Sequence, residues 1–200
     1  MKNILKLLTI SFLSMIILNG CANTYNTGYS APVPATVQEK RESLNSLTSN
    51  YYKNRDVLQI PIILQYLSDL NALEKKNYNS QITGFLVGVI HQGNRKQVSE
   101  WKKLPITDIT KNVITRAVII EPSIEKILNE NSYAPDTASV DFYWGYFGAT
   151  YDQRCVQIII NTKNDKKINP ITRAAAQFSL NANRNKYKIV EDMLLEDSKN

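Results

Sequence analysis

The sequence predicts an all-α fold of stacked antiparallel helical hairpins, arranged either as a repeat-like array or as an irregular bundle. Beyond residue 40, glycine is scarce and apolar residues recur at the three-to-four spacing that is typical of amphipathic helices. Capping residues and prolines divide this pattern into hairpins that begin near positions 79, 107, 138 and 169. A spacing of about 30 residues is typical of stacked helical hairpins.

Residues 1–20 have the character of a secretory signal peptide. Lys2 and Lys6 precede a nearly continuous apolar run of about a dozen residues, which is too short to span a bilayer. The run ends in Leu18-Asn19-Gly20-Cys21, which resembles the lipobox of bacterial lipoproteins. This resemblance implies that Cys21 carries the lipid anchor and begins the mature chain. Because Ala22 stands where aspartate favours inner-membrane retention, it also implies an outer-membrane protein that faces the periplasm.

Residues 21–40 are predicted to form a lipidated flexible tether. This segment contains several turn-forming residues and two prolines, Pro32 and Pro34, and its apolar residues follow no helical period. Such a segment buries too little apolar surface to offset the entropy of ordering it. From about Arg41 the apolar periodicity begins, so residues 41–200 are predicted to form the α-helical domain.

Prolines and capping side chains predict the helices of the first half of this domain. Pro61 suits the first turn of a helix, where its missing N–H costs no hydrogen bond. Asn94, with Gln97 three residues later, resembles a capping box, and either Thr107 or Asp108 caps the following helix. The apolar stripes that these signals separate span residues 44–51, 62–73, 82–90, 98–101, 109–118 and 124–128.

The second half is predicted to contain further helices over residues 140–150, 170–180 and 187–194, after a loop at 132–137. Asn169 and Pro170 form a strong pair of N-cap and first helical residue. The segment 156–160 is short and rich in β-branched residues, so it is predicted to be either a helix or a strand.

Charge and cysteine content restrict the function of the domain. Removal of Lys2 and Lys6 with the signal lowers the formal charge from +6 to +4, and the remaining basic and acidic side chains are interspersed. This distribution is typical of a solvated surface, so nucleic acid is not a predicted partner. With Cys21 lipidated, Cys155 has no disulfide partner, and its apolar neighbours predict that it is buried.

The densest stretch of the sequence, residues 141–152, contains six aromatic side chains that surround a helix on all sides. They either pack in the core or form a groove for a partner, since Tyr and Trp dominate binding hot spots. Gly145 and Gly148 would let another helix or a ligand approach the backbone closely, and Gly84 with Gly88 predicts a tight contact between helices. The candidate partner-binding residues are Tyr143, Trp144, Tyr146, Phe147 and Tyr151.

The C-terminal third also resembles a group of uncharacterised bacterial helical-hairpin proteins. The resemblance rests on the run Trp144–Asp152, on Val156-Gln-Ile-Ile159 and on Ala175-Ala176-Gln-Phe-Ser179-Leu180. Tyr151 stands where the pattern has glycine, so the turn there is expected to be built differently. The resemblance implies helical hairpins and supplies no activity.

Catalytic and metal-binding signatures are not found in the sequence. His91 is the single histidine, and neither a Cys pair nor a His-Glu-x-x-His run accompanies it. Asp141 and Asp152 are about three helical turns apart, so one helix does not pair them for acid–base chemistry. The sequence therefore predicts no cofactor, no metal site and no enzyme.

The predicted function is that of a lipid-anchored cell-envelope protein that serves as a protein-binding adaptor or assembly factor. Its predicted partners are the membrane, through the lipid on Cys21, and an unidentified protein. One alternative is an envelope enzyme that acts on cell-wall or lipid material, with Asp141, Asp152 or His91 converging in one cleft. The other is a purely structural lipoprotein, which would have no groove.

Overall fold

The computed structural model of the chain describes residues 36–74 and 76–199, without the side chains of residues 76 and 77. Within these ranges it contains ten α-helices, four short 3-10 helices and no β-strand, so the all-α class is confirmed. The α-helices are α1 Val37–Asn54, α2 Ile60–Asp69, α3 Lys76–His91, α4 Val98–Lys103, α5 Asp108–Ile120, α6 Ile124–Glu130, α7 Thr137–Thr150, α8 Gln153–Asn164, α9 Pro170–Arg184 and α10 Lys188–Asp197. The 3-10 helices are Val57–Gln59, Ala72–Glu74, Asn94–Gln97 and Glu121–Ser123.

Several helices begin where local capping chemistry predicts. Pro61 lies in the first turn of α2, and the Thr107 side chain caps α5. Asn169 caps α9 by accepting a hydrogen bond of 2.8 Å from the backbone N–H of Ile171, and Pro170 is the first helical residue. These starts depend on interactions within one turn of chain, which the sequence displays directly.

α1 begins four residues before the predicted start of the helical domain. The Thr36 hydroxyl accepts a hydrogen bond from the Glu39 backbone N–H at 3.1 Å, and the Glu39 carboxylate accepts one from the Thr36 N–H at 2.8 Å. This reciprocal capping box satisfies two N–H groups that a helix start otherwise leaves unpaired. Helix therefore extends back to Val37, inside the segment predicted as tether.

The predicted capping box at Asn94 and Gln97 is wrong. Residues 94–97 form a 3-10 helix, and the Asn94 side chain donates to the Val89 carbonyl, 2.9 Å away, so that it closes the end of α3. The apolar stripe predicted over residues 62–73 does not form one continuous helix. α2 ends at Asp69, and Asn71 then adopts a left-handed φ of 46°. Of the two alternatives for residues 156–160, the helix is confirmed, since they lie within α8.

The most extensive helix contact joins α3 to α7. The two helices run in the same direction, because Gly84 lies against Phe142 while Gly88, one turn later, lies against Ala149. The Gln92 side chain extends this register by donating to the Ala149 carbonyl at 2.9 Å. The central pair therefore joins helices that are distant in the sequence, as in the irregular bundle rather than the repeat-like array.

Two glycines make this approach possible. A Cβ atom on Gly84 would lie 2.0 Å from the Phe142 carbonyl oxygen, and one on Gly145 would lie 1.8 Å from the Gln81 carbonyl oxygen. Both distances are far shorter than the roughly 3.3 Å of a carbon–oxygen contact. The tight helix contact predicted from Gly84 and Gly88 is confirmed.

The remaining helices enclose the α3–α7 pair. α5 packs against α3, α1 and α9 pack against α7, and α8 connects α7 to α9 and α10. The core is one continuous cluster of buried apolar side chains drawn from helices along the whole domain. Among the described residues, none of the helices combines the length and the apolar character that a membrane crossing needs.

Candidate functional site

A cleft of about 690 Å³ opens between α1, α3, α7 and α9. α7 forms its floor with residues from Thr137 to Gly148, and α9 forms one wall from Ala175 to Asn183. Its lining combines aromatic, small and polar side chains, which is the mixture expected where a ligand is both buried and oriented. Its charged and aromatic lining residues are Asp141, Lys186, Tyr78, Phe85, Trp144, Phe178 and Tyr187.

Asp141 is the single carboxylate among the residues that line this cleft. It lies in the second turn of α7 and is only partly exposed, and no hydrogen bond or ion pair reaches it from the described side chains. Burial raises the pKa of Asp141 to about 6. A carboxylate that is desolvated without a compensating charge destabilises the fold, and such groups are concentrated at functional sites.

Trp144 lies one turn further along the same floor. Only 7% of the side chain is exposed, and its buried indole N–H has no acceptor among the residues described. Buried indole N–H groups usually find a hydrogen-bond partner. The helix that forms the floor of the cleft therefore carries two polar groups without partners among the described residues, the Asp141 carboxylate and the buried Trp144 N–H.

The α9 wall presents an apolar edge that sequence reasoning missed. Phe178 lies in the helix predicted over residues 170–180, and it is 75% exposed rather than packed in the core. The buried stripe of α9 instead consists of Thr172, Ala176 and Leu180. The sequence does contain a sign of this second apolar face: on a helical projection of α9, Phe178 aligns with Ile171, seven residues earlier.

Lys186 is the single basic side chain among the residues that line the cleft. Its ammonium donates to the Ser49 hydroxyl at 2.8 Å and lies 4.9 Å from the centre of the Tyr187 ring. Burial lowers the pKa of Lys186. The ammonium is therefore directed to Ser49 and Tyr187, and it forms no ion pair with Asp141.

The predicted partner-binding aromatic residues lie mainly in the core. Tyr143, Tyr146 and Phe147 are at most 3% exposed, so they cannot touch a partner without rearrangement of α7. The Tyr143 hydroxyl accepts a hydrogen bond from the Asn131 amide, and Phe147 packs edge-on against Tyr187. The alternative that most of these rings pack the core is the one that the structure favours. Of the five candidates, Trp144 lines the cleft.

Tyr151 forms the turn between α7 and α8 in a conformation that favours glycine. Its φ of 63° and ψ of 28° are left-handed, as expected for the glycine that the related pattern carries at this position. Its ring stacks on Tyr52 at 4.6 Å and on Phe147 at 5.0 Å between ring centres. Tyrosine thus keeps the turn, and the two ring contacts compensate for its backbone strain.

The other predicted chemical groups belong to a separate surface network. His91 lies between Glu121 and Glu125, with nitrogen–oxygen distances of 3.4 and 3.2 Å. Arg154 contacts both Glu125 and Asp152. Burial on its own would raise the pKa of Asp152, but hydrogen bonding from Arg154 holds that pKa below its usual value. These residues do not line the Asp141 cleft, so the convergence that the enzyme alternative requires is not present.

No group of three or more His, Cys, Asp or Glu side chains in the described part of the chain could hold a metal ion. Cys155 is fully buried, as predicted, and burial raises its pKa, which makes the thiol a poor nucleophile. Cys21, the predicted lipid site, lies outside the described residues.

No protein-family model, curated protein or solved structure matches the chain. The function is therefore inferred from the chain's own residues.

Proposed function

We propose that this chain is a lipid-anchored cell-envelope adaptor that binds a segment of a partner protein in the α1/α3/α7/α9 cleft. The observation that carries the proposal is the pairing of an exposed aromatic wall, Phe178, with an unpaired carboxylate, Asp141, in one cleft. A large apolar side chain left in water beside a concave surface marks an interaction site more often than an isolated surface residue does.

The composition of the cleft supports binding rather than catalysis. Hydrolytic chemistry on cell-wall or lipid material needs a second acid, a base or a nucleophile near Asp141. Lys186 donates to the Ser49 hydroxyl and is not hydrogen-bonded to Asp141, so the two groups are not paired for proton transfer. The purely structural alternative predicts no groove, whereas a cleft of about 690 Å³ lies between α1, α3, α7 and α9.

The membrane-anchored part of the proposal is supported by the lipobox-like run ending in Cys21. Residues 22–35 then separate the anchor from the Thr36 cap of α1. A chain of this length reaches several tens of ångströms when extended, which is enough to hold the domain clear of the headgroups. The cleft would then be available to periplasmic segments of proteins at the same membrane.

Site-directed photo-crosslinking in cells tests the proposal. Benzoylphenylalanine replaces Phe178 in the full-length protein, and the matched control carries it at Ile119, which is 70% exposed on α5 and does not line the cleft. We expect a discrete crosslinked protein from position 178 and none of the same mass from position 119. Equal crosslinking at both positions, or none at 178, would overturn the cleft as the binding site.

A second pair of variants blocks the cleft without removing its charged or aromatic groups. Gly148 lines the cleft, and a Cβ there would meet no atom closer than the Thr48 carbonyl oxygen, 3.8 Å away. Gly148→Leu should therefore fill part of the cleft and abolish the crosslink at position 178, whereas Gly148→Ala should retain it. An undiminished crosslink in Gly148→Leu, with the fold intact by circular dichroism, would contradict the proposed site.

A further inference from the structure

We infer that the segment bound in the cleft is basic, and that a lysine or arginine side chain of the partner pairs with Asp141 while an apolar neighbour packs on Phe178. This inference deepens the proposed function and rests on it. It identifies the chemistry of the partner segment, which the presence of a cleft alone leaves open.

The Asp141 carboxylate accepts no hydrogen bond from any of the described side chains. Lysine and arginine side chains form ion pairs elsewhere in the described part of the domain, for example Lys40 with Asp69 and Arg154 with Asp152. Within that part, the Asp141 carboxylate is therefore left without a paired counter-charge. A ligand cation would supply the missing charge, and charge-assisted hydrogen bonds are the strongest that a peptide can offer such a group.

The cleft's own cation is engaged by other groups. Lys186 donates to the Ser49 hydroxyl, and its ammonium lies over the Tyr187 ring. It forms no ion pair with Asp141, so it does not supply the hydrogen-bonded counter-charge that the carboxylate lacks.

Aromatic side chains also line the cleft that holds Asp141. Trp144 follows Asp141 by three residues on the same helix, and Phe178 on α9 is 75% exposed. An aromatic face in the same cleft as a carboxylate favours lysine and arginine over small cations, because the aliphatic stem packs on the ring while the charged end reaches the carboxylate.

Selection of short random peptides displayed on phage against the immobilised full-length protein tests the inference. The wild type is compared with Asp141→Asn, Asp141→Lys and the cleft-blocking Gly148→Leu. We expect peptides from the wild type to share a lysine or arginine beside an apolar residue. Synthetic versions of these peptides, blocked at both ends, should bind Asp141→Asn about tenfold to a hundredfold more weakly, as expected for loss of a charge-assisted bond.

Asp141→Lys should reverse the selection towards aspartate and glutamate, while Gly148→Leu should enrich nothing above background. The outcomes separate the two proposals. Peptides that depend on an open cleft but show no basic preference, or that bind Asp141→Asn equally well, would overturn the charge assignment and leave the adaptor function standing. The absence of any enriched peptide with the wild type would count against the cleft itself, and so against both.

Discussion

Substitution of single glycines by alanine should separate the residues that allow α3 and α7 to touch from one that merely faces the cleft. Gly84, Gly145 and Gly148 all lie inside helices, so each replacement gains about 1 kcal/mol of helix propensity. The variants then differ mainly in what the added methyl group meets. This makes Gly148→Ala a matched control for the other two.

The expected magnitudes follow from the distances. A methyl group at position 84 or 145 would lie 2.0 or 1.8 Å from a backbone oxygen, so the two helices must separate by roughly 1.3 to 1.5 Å. Overpacking of this kind costs typically about 1 to 3 kcal/mol, and a rigid backbone obstacle places it at the upper end. We therefore expect Gly84→Ala and Gly145→Ala to lower the free energy of unfolding by about 2 kcal/mol net. Gly148→Ala should raise it by about 1 kcal/mol.

Urea unfolding followed by circular dichroism measures these differences. A gap of about 3 kcal/mol between Gly84→Ala and Gly148→Ala corresponds to roughly 6 to 12 °C in Tm for a domain of this size. The double variant Gly84→Ala/Gly145→Ala should be less destabilised than the sum of its parts, because one separation of the helices relieves both clashes. Equal shifts for all three single variants would refute the close contact between the helices.

Three further predictions address single groups. Burial raises the pKa of Asp141 from 3.8 to about 6, so the stability that this group contributes is complete below pH 3.8 and is lost as the pH rises through 6. Asp141→Asn should therefore raise the free energy of unfolding near pH 7 and leave it unchanged near pH 4. The gain at pH 7 should be only about 1 to 2 kcal/mol, because the side chain is partly exposed. An equal gain at both pH values would contradict burial of the carboxylate as the cause of the raised pKa. Tyr151→Ala should be about 1 kcal/mol less stable than Tyr151→Gly, because alanine retains the left-handed strain. In urea titrations, the free energy of unfolding of both variants should be about 1 to 3 kcal/mol lower than that of the wild type, because the ring stacking is lost. Cys21→Ser should abolish labelling by an alkyne fatty acid and move the protein out of the detergent phase, and persistent labelling would exclude Cys21 as the lipid site.

The parts of the fold that could be predicted are those written in a few consecutive residues. The Thr107 and Asn169 caps each involve groups within one turn, so residue type alone identifies them. The false capping box at Asn94 shows the limit of such signals. There the amide had a competing acceptor, the Val89 carbonyl at the end of the preceding helix, which a motif of four residues does not include.

The site was predicted less well, because it depends on which helices meet. The aromatic content of α7 was evident, but the sequence could not tell that Tyr146 faces the core and Trp144 the cleft. That distinction arises from α1, α3 and α9 packing on different sides of α7. Phe178 was missed for the same reason, since α9 has two apolar faces and only its neighbours determine which is covered. Similarly, the glycines indicated a close contact without naming the partner helix.

The parallel α3–α7 pair has a consequence for the order in which the chain folds. Gln92 and Ala149, which hydrogen-bond at one end of the pair, are 57 positions apart, and three α-helices intervene. Contacts of such high separation close large loops and slow the folding rate. During synthesis, α1 to α6 emerge before the helix on which α3 packs, so the glycine face of α3 stays uncovered until α7 follows. We therefore expect a chain that stops after α6 to remain a collapsed, aggregation-prone intermediate, however complete its own helices are.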